Sequence, residues 1–266
     1  MTDARVPILM YHAVATDPNE ATRALSVTPK AFAEQMAVLA DRGRTPLTTA
    51  GLAACWRSGR PLPDRPVLVT FDDGYEGVHR HALPALAEHG FPATLFVTTG
   101  WLRGPYDTGG GLDTMLDWDQ VRALASAGVE IGGHSHSHPQ LDQVSEATLR
   151  FELIHCKEII SDQLGSVPAS FAYPYGYSDR RVRQAVRETG YAQALAVGNG
   201  LAHRAQGPYA LRRVTVRRDT GIDQFERMVE GRAIARTFAG DRALTKGYAV
   251  VRRARRAVRT LAGSGG

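Results

Sequence analysis

Along the chain, short apolar runs rich in β-branched residues alternate with longer stretches in which apolar side chains recur every three or four positions. The runs cover residues 6–10, 67–71, 93–97, 129–133, 170–173, 192–197 and 210–216, and each predicts a buried strand. The periodic stretches predict helices between them. Thr28 and Pro29 are a cap and first turn for a helix to about residue 42, with Phe32, Met36 and Leu39 on one face and Gly43 beyond. Thr48 or Thr49 caps a second helix through residue 56. Further helices are expected over 78–89, 117–127, 145–164 and 179–189, and residues 100–116, centred on Gly109-Gly110-Gly111, form a long loop or substrate flap. Strands alternating with helices of this length imply parallel β/α units and an α/β fold. No repeat or interdomain linker interrupts the pattern, and 266 residues suffice for one large domain.

Polar residues concentrate where the apolar runs end. Val67-Leu68-Val69-Thr70-Phe71 leads into Asp72-Asp73-Gly74. On a regular strand adjacent side chains point to opposite faces, so two carboxylates serve one pocket only if the backbone turns there. Taken alone, Asp-Asp-Gly reads first as a turn whose aspartate accepts backbone hydrogen bonds. A second run, Val129-Glu130-Ile131-Gly132-Gly133, ends in His134-Ser135-His136-Ser137-His138-Pro139, which holds three of the chain's nine histidines. Pro139 disfavours a helix through this cluster. Neutral imidazole is the commonest metal ligand, and two histidines with one carboxylate from two strand ends bind a divalent ion with positions left open. His136 is expected to point elsewhere; a fully extended 134–138 segment would instead put all three histidines on one face.

These motifs, in order, resemble the polysaccharide deacetylases, carbohydrate esterase family 4: Thr70-Phe71-Asp72-Asp73-Gly74, His134-Ser135-x-x-His138-Pro139 and Tyr173-Pro174-Tyr175-Gly176. Tyr11-His12-x-Val14 is similar to the first motif of the branch related to poly-N-acetylglucosamine deacetylases. The resemblance spans about residues 6 to 220. It implies a distorted (β/α) barrel of seven or eight strands and removal of N-acetyl groups from an N-acetylglucosamine-type glycan or glycoconjugate. It further implies a divalent ion held by Asp73, His134 and His138, with zinc first by ligand type and cobalt or nickel as substitutes. Asp72 would be the general base, His12 the general acid, and Tyr175 a backbone oxyanion donor. Tyr173 and Pro174 would complete the substrate contacts. Two features depart from the family. Phe171-Ala172 stands where an arginine often precedes Tyr-Pro, and the usual C-terminal Leu-x-His is absent after residue 203. His12 would replace that histidine, and Arg212, Arg213 or Arg217 would orient Asp72. The alternatives are an Fe(II) oxygenase, a catalytically inactive sugar-binding module, or an adaptor acting through its tail.

Charge divides the chain at about residue 235. Residues 236–266 carry eight Lys or Arg and one acid, +7, so residues 1–235 sum to −2 against a total of +5. A catalytic domain over 1–235 and a basic tail over 236–266 are expected, with an amphipathic helix within 248–259 that suits an anionic membrane surface. With few aromatic residues for stacking, nucleic acid is not the expected partner. No apolar run reaches 18 residues, and the N-terminus lacks the apolar core of a secretory leader, so a cytoplasmic location is expected. Cys55 and Cys156 are too few for a disulfide framework.

Overall fold

The computed structural model describes residues 4–241, with Tyr248, Ala249 and Arg252. Its strands are β1 (Ile8–Tyr11), β2 (Thr45–Pro46), β3 (Pro66–Phe71), β4 (Thr94–Val97), β5 (Glu130–Gly133), β6 (Ser170–Ala172), β7 (Gln193–Leu195) and β8 (Val214–Thr215). The spatial order is β7-β6-β5-β4-β3-β1-β8, every pair parallel, with β2 joined to the start of β3. Leu211 bridges Leu195 of β7 just before Val214 and Thr215 pair with Leu9 and Met10 of β1, so one segment touches both edges. The result is a distorted (β/α) barrel.

The strands bury both faces. Leu9, Tyr11, Val67, Val69, Phe71, Leu95 and Val97 face outward into the layer of helices. Ile8, Leu68, Phe96, Ala172, Leu195 and Leu211 form a separate inner cluster with Leu52. Because side chains alternate, inward positions on β1 and β3 run Ile8-Met10-His12 and Leu68-Thr70-Asp72. The functional candidates therefore continue the inward row where each strand ends.

The helices begin where local chemistry predicts. They include α1 (Glu20–Arg23), α2 (Pro29–Asp41), α3 (Thr49–Ser58), α4 (Leu83–Glu88), α5 (Trp118–Ser126), α6 (Glu146–Leu164), α7 (Arg180–Glu188), α8 (Ile222–Val229) and α9 (Ile234–Thr237). Thr28, Thr48, Ser145 and Asp179 each accept a hydrogen bond from the backbone N–H three residues on, and Asp117 forms a capping box with Gln120. Each such cap contributes about 1 kcal/mol. Thr48, not Thr49, caps α3. Thr49 instead bonds Thr94, Ala50 N–H donates to Glu130 (2.7 Å), and Gln193 donates to the Thr49 carbonyl. The start of α3 thus plugs the mouth where β4, β5 and β7 begin, leaving the strands' C-terminal ends for the site.

Three expectations are corrected. The helix over 78–89 opens with a wider π-helical turn, Val78–Ala82, because Pro84 has no N–H to donate and its ring crowds the carbonyl four residues back. The strands expected over 192–197 and 210–216 shorten to β7 and β8. There a side chain supplies part of the ladder: Asn199 Oδ1 accepts from both the backbone and hydroxyl of Thr215, each at 3.0 Å. Arg213 lies just before β8.

Packing continues past residue 235. Ile234 and Phe238 join the outer core, and Arg217 pairs with Asp241 at 2.5 Å. Arg252 pairs with Asp142 (2.8 Å) and lies over the Tyr177 ring (3.4 Å). The helix expected within 248–259 falls outside the described residues apart from Tyr248, Ala249 and Arg252. Among the described residues no helix is long and apolar enough to cross a membrane.

Candidate active site

Four strand ends converge on a cavity of about 220 Å3, lined by His12 after β1, Asp72 and Asp73 after β3, His134 and His138 after β5, and Tyr173 and Tyr175 after β6. Pro174, in the same turn, is buried and does not line it. Backbone strain concentrates here. Of seven described non-glycine residues with positive φ, four are Asp73 (76°), Ser135 (68°), His138 (60°) and Tyr175 (59°). Each such conformation costs about 1 kcal/mol or more and persists where the surroundings impose it. The left-handed Asp73 lets two successive carboxylates enter one cavity. Gly74 follows at φ 104°, where a Cβ would lie 2.7 Å from Leu102. Ser135 breaks the extended path, so His134 and His138 face Asp73 while His136 turns to Thr99 (3.0 Å).

Asp73 Oδ1 lies 3.3 Å from His134 Nε2 and 3.4 Å from His138 Nε2. It is buried and accepts no hydrogen bond, and the three ligand atoms lie within 4.8 Å of one another. Ligand atoms about 2.05 Å from a tetrahedral zinc stand roughly 3.3 Å apart, so this donor set fits such an ion. The protonation states fit as well. His134 Nδ1 is 2.8 Å from the Ala172 carbonyl and donates to it, so Nε2 is the nitrogen turned to Asp73; burial lowers this histidine, but Asp72 and Asp73 raise it overall. Burial pushes His138 down to about 4, against the pull of Asp73, so it is a neutral imidazole at pH 7. Its ring sits between Trp101 (4.6 Å) and Tyr175 (4.7 Å). Burial opposes charge on Asp73, but the imidazoles of His134, His12 and His138 around it hold it well below the usual carboxylate range.

Asp72 stands apart from that trio, 4.0 Å from His134 Nε2. Arg213 grips it through two parallel bonds, Nη1 to Oδ1 at 2.6 Å and Nη2 to Oδ2 at 2.7 Å. The guanidinium is fully buried and lies over the Phe96 ring inside the barrel. Burial would raise Asp72, yet Arg213 holds it below the ordinary range, so it remains ionised. Of the three arginines left open by the sequence, Arg213 is the one that orients Asp72. Burial lowers His12, against Asp73 and Asp72, and its Nδ1 is buried without a hydrogen-bond partner.

The sequence reading missed Glu152. It lies on the buried face of α6 between Leu149 and Leu153, 2% exposed. Its carboxylate accepts the N–H groups of His136 and Ser137, each at 2.8 Å, and the Ser137 hydroxyl at 2.5 Å. An acid on an apolar helix face was the available clue. Tyr75, Trp101, Leu25 and Leu112 also line the cavity. The loop carrying Trp101 and Leu112 is tied to the opposite rim, where Asp113 accepts from the Asn19 N–H and the Thr22 hydroxyl, both at 2.8 Å.

The polysaccharide deacetylase family model matches residues 59–194, just over half of the chain. His12 and Arg213 lie outside that span. YxkH of Bacillus subtilis, which carries a polysaccharide deacetylase name, is 29% identical over 80% of this chain and 72% of its own. The poly-beta-1,6-N-acetyl-D-glucosamine N-deacetylase of Escherichia coli K12 is 25% identical over 78% of this chain, which spans 36% of that protein. Among solved structures, the Streptococcus pyogenes deacetylase PplD in complex with acetate superposes with a TM-score of 0.78 over 86% of this chain and 99% of its own, at 24% identity. IcaB from Ammonifex degensii gives 0.68 over 86% and 97%, at 22%. These structural likenesses are ones of fold. The span matched by the family model holds both strand ends that form the Asp-His-His cluster, and the chain belongs to the polysaccharide deacetylase family.

Proposed function

We propose that this protein is a metal-dependent hydrolase that removes the N-acetyl group from an N-acetylglucosamine-type glycan. The observation that carries the reading is the convergence of Asp73, His134 and His138 beside an arginine-bound Asp72 at one end of the barrel. Family membership and the E. coli relative's name support the substrate class. Asp73, His134 and His138 would hold the divalent ion, zinc by ligand type, which when bound acidifies water and polarises a carbonyl.

The remaining chemistry belongs to this chain's residues. Amide hydrolysis needs a base for the attacking water, a donor for the developing oxyanion and a proton for the departing amine. Asp72 takes the water's proton. Arg213 keeps that carboxylate ionised and fixed, so its lone pairs are aimed before substrate arrives. The backbone N–H of Tyr175, in the left-handed turn after β6, would serve as the oxyanion donor. His12, neutral at rest, takes up the proton that Asp72 removes from water and then donates it as an imidazolium to the departing amine nitrogen. Trp101, Tyr175 and Leu112 supply apolar walls against the sugar ring and its acetyl methyl.

The test is acetate release from a panel of N-acetylglucosamine oligosaccharides and glycosides, by metal-stripped protein with and without added Zn2+ or Co2+, under air and under nitrogen. Release restored by metal and independent of oxygen is the expected result. Oxygen-dependent turnover would assign the two-histidine, one-carboxylate set to oxygenase chemistry. One bound metal per chain with no release from any substrate would leave a sugar-binding protein on this fold.

A further inference from the structure

Three hollows run into one another beside the site. The catalytic cavity shares Gly176 and Val197 with a second hollow of about 410 Å3, and this one shares Arg183, Gln206 and Ala210 with a third of about 620 Å3. The path leads away from the catalytic residues past Tyr177 and along α7.

Its lining is charged in one sense. Arg180, Arg183 and Arg187 follow one another at spacings of three and four along α7, so they share a helix face, and all three line the outer hollow. Arg212, from the segment before β8, lines the middle hollow with Arg183. Its aliphatic stem lies along Gly198 and Gly200, where an added Cβ would meet it at 3.2 and 3.3 Å. Among the described residues, none of these four guanidinium groups has a carboxylate within ion-pair distance. Glu188 is the one acid lining either hollow, and it faces Gln184 (2.8 Å) and Arg150 (3.9 Å). Arg252 also borders the middle hollow, but Asp142 already balances it.

This charge is local. Residues 1–235 sum to −2, so four uncompensated arginines along one groove are not a sample of a basic surface. Like charges three and four apart on a helix repel and weaken it, and that arrangement is relieved when an anion lies between them. Guanidinium groups carry planar pairs of donors that match the oxygens of a phosphoryl group.

We propose that this groove is an anion subsite, and that the glycan substrate carries a phosphoryl group bound by Arg180, Arg183, Arg187 and Arg212. The assignment rests on the deacetylase reading for the glycan but not for the anion. It distinguishes two surfaces of one ligand. The aromatic-walled cavity takes the acetamido sugar, and the arginine groove takes the phosphate farther along the same chain.

The experiment is calorimetric binding of one N-acetylglucosamine oligosaccharide in three forms: unmodified, with a phosphate at its reducing end, and with a uronic acid there. Full-length protein is compared with Arg183→Glu/Arg187→Glu and with Arg57→Glu/Arg60→Glu, the same charge change on exposed residues at and just beyond the end of α3, the helix that plugs the opposite mouth. The expected result is about tenfold or greater preference for the phosphorylated form, lost in the first variant and kept in the second. Equal binding of the unmodified and phosphorylated forms would overturn the proposal. So would a uronic acid form binding as tightly as the phosphorylated one, or equal loss in both variants. Acetate release is read separately. Phosphate-dependent binding without any release would keep the groove and refute the deacetylase reading; release without phosphate preference would do the reverse.

Discussion

Arg213 and Asp72 meet through two parallel hydrogen bonds of 2.6 and 2.7 Å, with the arginine wholly buried and the aspartate 2% exposed. A guanidinium there fixes both carboxylate oxygens at once, which an ammonium does not do. Arg213→Lys should therefore fold and bind metal but lose about ten- to a hundredfold in kcat. Arg213 holds Asp72 below its ordinary range, so a weaker partner lets that carboxyl rise. The acid limb of the kcat/KM profile should then move to higher pH. An acid limb that stays in place while kcat falls would separate Arg213 from Asp72. Arg213→Met should be harsher, costing about 3–5 kcal/mol of stability by leaving a buried carboxylate unpaired.

Glu152 anchors the loop that delivers two histidines. Its carboxylate holds the N–H groups of His136 and Ser137, between His134 and His138. Glu152→Gln keeps the size of the side chain but removes the negative charge that three donors face, and it turns the acceptor of the Ser137 hydroxyl into a donor. Zinc affinity, measured by competition with a chromophoric chelator, should fall about ten- to a hundredfold. His136→Ala should leave affinity close to wild type, because that ring faces Thr99 and not Asp73. Equal losses in both variants would mean that the loop responds to any change nearby.

Cys156 gives a pH dependence away from the catalytic chemistry. Its thiol is fully buried, and burial pushes it from 9.0 up to about 12. A group whose folded value lies above its unfolded one contributes stability that is complete below the unfolded value and is lost as pH rises toward the folded one. Denaturant unfolding of the wild type should therefore show stability falling between about pH 9 and pH 12 more steeply than in Cys156→Ala. Parallel slopes would contradict the assignment. At pH 8 the native thiol should resist alkylation, while half-buried Cys55 reacts first.

Much of this arrangement was legible in the chain. The alternation of apolar runs and helical stretches gave the parallel β/α order, and the polar motifs stood where the apolar runs end. His134 and His138 were singled out by the resemblance to the family's His-Ser-x-x-His-Pro motif, and both lie beside Asp73. His136 was expected to point elsewhere and does, but the means was not legible, because it depends on the left-handed Ser135, a residue type with no strong preference for that conformation. Arg213 was one of three equal candidates. It reaches Asp72 from just before β8 across the barrel interior, a contact between residues 141 apart that no local pattern encodes. Glu152 was hidden for a similar reason: an acid on a helix face declares itself only when the loop that needs it is packed against that face. The charged tail was plain in composition, but what α9 and Arg252 touch depends on packing alone.

The account turns on Asp72 acting as base beside a metal it does not hold. The direct measurement is acetate release by wild type and Asp72→Asn, each reloaded with one equivalent of zinc whose binding is verified by metal analysis. The account predicts equal zinc content and a loss of about a hundred- to ten-thousandfold in kcat for the variant. Release by Asp72→Asn at the wild-type rate, with zinc bound, would contradict it.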